Sequence, residues 1–306
     1  MSFNRINCTH PDKCCNFEGM NTEHRTPYRI AILDLYDGHA NEGMRCIREL
    51  VQQYSTIHQV EPRVEEFDVR GKLEVPDLGF DLYISSGGPG SPLESEGSEW
   101  ENRYFNWLRS IEEYNANPGT VSKKYVLFIC HSYQLACRYF QAGKVSRRRS
   151  TAFGIFPVHL LKSGHGEPVF EGLSDPFYAV DSRDYQVTQP NKKRLKAMGG
   201  EVLAIEKDRP HVPLERAVMA IRFNKYMLGT QFHPEADPTG MAMYFQREDK
   251  KQTVIENYGI EKWSSMIAQL NDPDKILNTY AHIIPNFLDQ AFDNEASGKA
   301  LLNAVE

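Results

Sequence analysis

The chain has 306 residues, 41% of them hydrophobic and 25% charged, with a formal net charge of −6. This is ordinary globular composition with enough chain to bury a substantial core. A mildly acidic chain has no general attraction to nucleic acid or to an anionic membrane, and no apolar run reaches the roughly 20 residues of a spanning helix.

Residues 1–27 are polar and aperiodic and read as a mobile leader. They lack the apolar core of a secretory signal. With only six cysteines in the whole chain, this excludes a disulfide scaffold and points to the cytoplasm and reduced thiols. Cys8, His10, Cys14 and Cys15 are metal-capable residue types, but their spacing is not that of a zinc site, and no metal is expected.

From Arg29 onward, short apolar runs alternate with longer periodic segments. RIAILDLYD reads as a buried strand, NEGMRCIRELVQQY as a helix, and VEEFDVR and FDLYISSGG as two further strands. ENRYFNWLRSIEEYN is a helix, KKYVLFIC a fourth strand, and HSYQLACRYFQAG its helix. This alternation predicts an α/β fold, a three-layer sandwich with a mostly parallel central sheet covered on both faces. Arg147, Arg148 and Arg149 read as a solvated turn rather than a binding patch. Between 151 and 232 the runs FGIFPVHLL, FYAVDS, EVLAIE, RAVMAIRF and KYMLGTQF are strand-like, with a hairpin at FNKY. They are compatible with a mixed or antiparallel extension of the same sheet.

After Pro238 the pattern turns helical. One stretch carries Val254, Ile255, Tyr258, Trp263, Met266, Ile267 and Leu270. Another, from Asp274 as N-cap, aligns Ile276, Leu277, Tyr280, Ile283, Ile284, Phe287, Leu288 and Phe292 on one face, with Pro285 expected to kink or interrupt it. The expected organisation is a leader at 1–27, a catalytic domain at 28–240, and a helical extension at 241–306 packed on that domain.

Three pieces carry chemistry. Cys130 ends an apolar strand where a helix begins at once, a turn that lifts a nucleophile above a sheet and sets it at a positive helix end, favouring the reactive thiolate. Read alone, Cys130 is equally a small buried apolar residue at a strand end. His233 and Glu235 stand two apart after another strand. In extended chain both point to one side, so Glu235 can hold one imidazole nitrogen while the other faces a nucleophile; alone, His-Pro-Glu is also a solvated turn. Gly87-Gly88-Pro89 follows the strand FDLYI and lets backbone N–H groups approach a developing oxyanion; alone, it is also an ordinary loop. All three lie at carboxyl ends of expected strands, where open α/β sheets place their sites.

Together these motifs resemble the class I glutamine amidotransferases, as in the glutaminase domain of guanosine monophosphate synthetase. The family pattern is a Gly-Gly-Pro oxyanion loop, a Cys-x-Gly-x-Gln elbow and a terminal His-Pro-Glu. Here the elbow reads Cys130-His131-Ser132-Tyr133-Gln134, and the resemblance spans roughly residues 29 to 240. It implies a flavodoxin-like fold and the triad Cys130, His233 and Glu235. It also implies an oxyanion hole from the N–H groups of Gly88 and His131, a substrate contact from Gln134, and no cofactor. The implied substrate is glutamine or another γ-glutamyl compound, with an ammonia-accepting synthetase subunit as the possible partner. The family usually has small residues two before and two after the cysteine, where this chain has Phe128 and Ser132. Where the family often has Ser-x-His, this chain has Asp181-Ser182-Arg183-Asp184-Tyr185. Arg183 is therefore a candidate for binding a substrate carboxylate, the alternative being a surface salt bridge with Asp184 or another acid. The competing readings are a stand-alone γ-glutamyl peptide hydrolase and a non-catalytic binding protein of the same fold.

Overall fold

The structure, a computed structural model, describes residues 28–120, 122–211, 213–246, 248–270, 272 and 275–292. The leader, with Cys8, His10, Cys14 and Cys15, lies outside the described residues, as does the cap position Asp274.

Strands β1 (Arg29–Asp34), β3 (Leu82–Ser85) and β4 (Tyr125–Ile129) are buried on both faces, and β2 (Arg63–Asp68) forms the polar outer edge beside β1. Such continuous apolar runs belong to strands covered from both sides. The covering layers follow from the pleat. Ile30 and Ile32 point into a core shared with α1 (Gly43–His58) and α8 (Ile276–Phe292). Ala31 and Leu33 point to the opposite core, shared with α2 (Glu99–Ala116), α3 (His131–Tyr139) and α4 (Lys192–Ala197). Ser98 caps α2 by accepting from the Glu101 N–H.

The remaining strands are β5 (Lys144–Leu160), β6 (Phe177–Thr188), β7 (Glu201–Glu206), β8 (Val218–Asn224) and β9 (Met227–Thr230). All nine form one sheet in the order β2-β1-β3-β4-β9-β8-β7-β5-β6. Pairings from β2 to β9 are parallel and those from β9 to β6 antiparallel. The sheet is therefore mixed rather than mostly parallel. The cause is connection length: a parallel neighbour needs a crossover of a dozen or more residues, whereas only Lys225 and Tyr226 join β8 to β9. The parallel half keeps the flavodoxin-like order, with β9 in the fifth position.

The arginine run is not a turn. Arg147–Arg149 lies within β5, where the register against β6 shifts between Arg147 and Ala152. The irregularity turns Arg148 inward, with its side chain only 6% exposed, onto Glu206 and Gln186, both at 2.9 Å. Helix α8 runs through Pro285 without interruption and is buried nearly all round rather than on one face. Its polar residues have partners: Thr279 donates to the Tyr178 carbonyl, Asn286 to those of Val169 and Glu171, and Asp289 accepts from Tyr54. Helices α5 (Pro238–Gln246), α6 (Glu248–Tyr258) and α7 (Ile260–Leu270) precede it. They build a smaller cluster in which Val254, Met266 and Leu270 meet Ile155 of β5 and Val180 of β6. No helix of the described residues is long and apolar enough to cross a membrane.

Candidate functional site

The turn from β4 into α3 is forced. Cys130 has φ 49° and ψ −96°, a region that non-glycine residues occupy only at a cost of about 1–3 kcal/mol and only when their surroundings fix them. The fixing groups are identifiable. The Cys130 N–H donates to the Thr230 carbonyl of β9 at 2.8 Å, and its carbonyl accepts from the Gln134 N–H. Ser132 braces the turn from below: its hydroxyl accepts from the Ile129 N–H at 2.8 Å and reaches the Ser85 carbonyl of β3 at 2.7 Å. A small hydroxyl residue two after the cysteine thus ties α3 to two strands, β3 and β4. Phe128, two before it, is accommodated because Gly229 is its neighbour on β9. A Cβ at Gly229 would lie 2.6 Å from Tyr133 and 3.0 Å from Phe223, the ring against which Phe128 packs edge-on.

His233 leaves β9 in extended conformation, its N–H bonded to the Val180 carbonyl at 2.9 Å. Nδ1 lies 2.8 Å from Oε1 of Glu235, which is 1% exposed. The ring also stands beside Cys130 across the Gly87 backbone. Burial alone would push the imidazole pKa down. The Glu235 carboxylate, followed by Cys130, outweighs it and holds the pKa well above the ordinary histidine range. The fold therefore brings the Cys130, His233 and Glu235 side chains together at the carboxyl ends of β4 and β9.

The Gly-Gly-Pro loop closes over this cluster from the end of β3. A Cβ on Gly87 would stand 2.8 Å from His233 Cε1, and one on Gly88 would stand 2.4 Å from the Leu35 carbonyl oxygen. Arg70 anchors the loop from outside by donating to the Pro89 carbonyl at 2.7 Å. Among the described residues neither the Gly88 nor the His131 N–H donates to a backbone carbonyl, and both residues border the cavity. The His131 ring is 2% exposed, and burial, with Arg70 and Arg138 nearby, pushes its pKa down to about 3. It is a neutral imidazole at ordinary pH.

Gln134 is buried beside the cavity, where its amide donates to the Gln231 side chain at 3.2 Å, and Gln231 in turn points its own amide at the Cys130 sulfur at 3.9 Å. Arg183 makes no surface salt bridge with Asp184. Its side chain is 1% exposed, with Nε 2.7 and 3.0 Å from the two Asp181 oxygens and a further nitrogen 3.6 Å from Glu206. Burial opposes its charge, but Asp181 and then Glu206 raise its pKa further. Those acids occupy its donors, and it is the neighbouring Ser182 carbonyl that approaches the Cys130 sulfur at 3.8 Å.

Two residues of the site go unremarked in the sequence reading. Gln231 is a polar residue between the end of β9 and Phe232, and that polarity beside a strand end is its signal. Tyr36, just after β1, sits among ordinary strand aromatics and gives none. The cavity over the cluster holds about 440 Å³. One flank is apolar, formed by Phe153, Val180, Ala236 and Met241; the lining also includes Glu42, Asp184 and Asp237.

The family model of glutamine amidotransferase class-I matches residues 31–249. No curated protein matches the chain by sequence. Among solved structures, a glutamine amidotransferase from Thermotoga maritima superposes with a TM-score of 0.62 at 14% identity, covering 88% of this chain and 100% of that one. The glutaminase domain of Trypanosoma brucei CTPS, with bound acivicin, gives 0.54 at 15% identity, covering 88% and 95%. A glutamine amido transferase from Methylobacillus flagellatus gives 0.52 at 14% identity, covering 85% and 94%. At such identities the structural likeness speaks for the fold alone. The family match covers most of the chain and includes the elbow, the Gly-Gly-Pro loop and His-Pro-Glu, and on that ground the chain belongs to the class I glutamine amidotransferases.

Proposed function

We propose that this chain is a glutaminase that hydrolyses the carboxamide of glutamine through a γ-glutamyl thioester on Cys130. The observation that carries the reading is the cluster itself: a strained cysteine at a helix N-terminus, a histidine ring beside it, and a buried carboxylate 2.8 Å behind that histidine. The Cys130 sulfur attacks the carboxamide carbon, and the Gly88 and His131 N–H groups receive the oxyanion. His233 passes a proton to the leaving nitrogen, so that the C–N bond breaks and ammonia departs. Gln134 acts on the sulfur through Gln231. Arg183 positions the Ser182 segment by its pairing with Asp181 and makes no substrate contact in this reading. The ammonia goes to a separate synthetase subunit.

A second reading keeps the same relay with a γ-glutamyl peptide or amine conjugate as substrate and water as sole acceptor. The apolar flank of Phe153, Val180, Ala236 and Met241 favours it, because a leaving group larger than ammonia would bury apolar surface there. The test is a substrate panel of glutamine and γ-glutamyl peptides, with glutamate and released amine both measured, in wild type and Cys130→Ala. Turnover of glutamine that Cys130→Ala abolishes supports the first reading, and preference for the peptides supports the second. Turnover that survives the substitution sinks both. Acivicin, bound in the Trypanosoma brucei domain, serves as an inhibitor probe of the same site.

A further inference from the structure

Tyr36 has no role in the relay just described, yet its hydroxyl faces it. The residue is held firmly. Its N–H donates to the Asp34 carboxylate at 2.7 Å, and its carbonyl accepts from the His39 N–H at 3.0 Å. The preceding Leu35 N–H donates to Ser86 Oγ at 3.0 Å, which ties this turn to the Gly-Gly-Pro loop. The phenol borders the cavity and makes no hydrogen bond among the described residues.

The missing side chain of Gly87 marks what the phenol faces. The point where a Gly87 Cβ would sit lies 2.8 Å from His233 Cε1, 3.3 Å from Tyr36 Oη and 3.6 Å from Cys130 Cβ. The phenol oxygen, the His233 ring and Cys130 Cβ therefore crowd the same face of Gly87, and all three residues line one cavity. A water in the cavity beside them needs two to four polar partners, and Tyr36 Oη and, once Cys130 carries the γ-glutamyl group, Nε2 of His233 supply two. Burial, followed by the Glu235 carboxylate and Cys130, pushes the Tyr36 pKa well above its ordinary value. The group is a neutral hydroxyl, able to donate and accept at once.

We propose that Tyr36 is a further catalytic residue, whose hydroxyl holds the water that hydrolyses the γ-glutamyl thioester. The proposal rests on the glutaminase reading above. In this step the water oxygen bonds to the thioester carbonyl carbon while His233 takes one water proton. The tetrahedral intermediate then collapses, the C–S bond breaks, and the proton passes from His233 to the departing Cys130 sulfur. Tyr36 keeps its own proton throughout. The role is specific to this half of the cycle. During acylation the leaving nitrogen is positioned by the substrate to which it is bonded, whereas the water has no such tether and depends on the protein for its orientation.

The test is Tyr36→Phe, which keeps the ring and removes only the hydroxyl, followed by rapid quench with glutamine. The expected result is a first-turnover ammonia burst within about twofold of wild type and a steady-state rate reduced roughly hundredfold. The glutamyl-enzyme should accumulate on Cys130 by mass spectrometry, and added hydroxylamine should restore turnover as γ-glutamyl hydroxamate. An unchanged steady state would overturn the proposal, as would a burst slowed in step with turnover and no accumulated thioester. Those results leave the glutaminase reading standing. Absence of any turnover by wild type, with glutamine or γ-glutamyl peptides, would overturn that reading as well.

Discussion

At the scale of single residues, Glu235 decides the protonation of the relay. Its carboxylate is buried against His233 and does more than any other charge to raise that imidazole's pKa. Glu235→Gln keeps the shape and removes the charge. The expected loss in kcat is roughly 10²–10⁴. The sign of the pH effect follows from the direction of the shift: activity that requires a protonated His233 is lost as pH rises through its pKa, so lowering that pKa moves the alkaline limb of kcat/KM toward acid. A pH–rate profile checks both. His131 behaves oppositely. Its folded pKa of about 3 lies below the unfolded value of about 6.5. The unfolded chain therefore binds the extra proton, and stability present above pH 6.5 is lost as pH falls below it, by about 1.4 kcal/mol per pH unit. His131→Phe should flatten this acid limb in denaturant titrations between pH 6.5 and 4. Cys130, His233 and Glu235 were legible because each stands beside a strand end in a pattern with chemical meaning. Tyr36 was not, because its importance comes from Gly43 and Gly87 making room beside it. A Cβ at either would fall within 3.3 Å of its hydroxyl, and no linear pattern encodes that proximity.

At the scale of elements, the strands with apolar middles were legible, as was the polar edge β2, but the polar start of β5 was not. FGIFPVHLL and FYAVDS mark the interiors of β5 and β6, but the run from Lys144 to Thr151 is held by the ladder to β6 and by the inward Arg148 pair. Polar residues paired inside a sheet look like a turn in the sequence. The change to antiparallel pairing after β4 is a matter of connection lengths, and the short FNKY turn between β8 and β9 already carried it in the sequence. The loop after β3 offers a sharper test, because its two glycines do different work. Gly87 is not in a left-handed conformation, and its missing Cβ faces the His233 ring, so Gly87→Ala should displace that ring. The expected outcome is a roughly hundredfold loss of kcat with thermal stability nearly unchanged. Gly88→Ala would instead drive a Cβ to 2.4 Å from a backbone oxygen of the segment after β1, which cannot yield without moving the chain. It should cost about 1–3 kcal/mol of stability. Thermal melts of the two variants beside their activities separate the cases.

At the scale of the whole molecule, the residues after His-Pro-Glu divide into two parts with different tasks. Helix α8 belongs to the main core: Ile283, Ile284, Phe287 and Leu288 are fully buried, and its Phe292 stacks on Tyr28 beside β1. Helices α5 to α7 instead lean on β5 and β6 through Met266, Val254 and Leu270. From there they back the apolar flank of the cavity, since Phe153, Val180, Ala236 and Met241 belong both to this cluster and to the cavity wall. The helical periodicity of the tail was visible in the sequence, but not this division, because both parts show similar apolar spacing and only tertiary packing distinguishes them. A pair of truncations tests it. Leu288→Ala opens a hole in the main core and should lower unfolding free energy by about 2–5 kcal/mol, leaving KM close to wild type wherever the protein remains folded. Met266→Ala removes the side chain that packs across Gly154 of β5 and should loosen the cavity wall. KM should then rise by several-fold, more for γ-glutamyl peptides than for glutamine, because only the larger leaving group reaches the apolar flank. Denaturant titration and paired kinetics on both substrates give the readout. A Met266→Ala enzyme with unchanged KM for both would show that α5 to α7 stabilise the sheet edge without shaping what binds there.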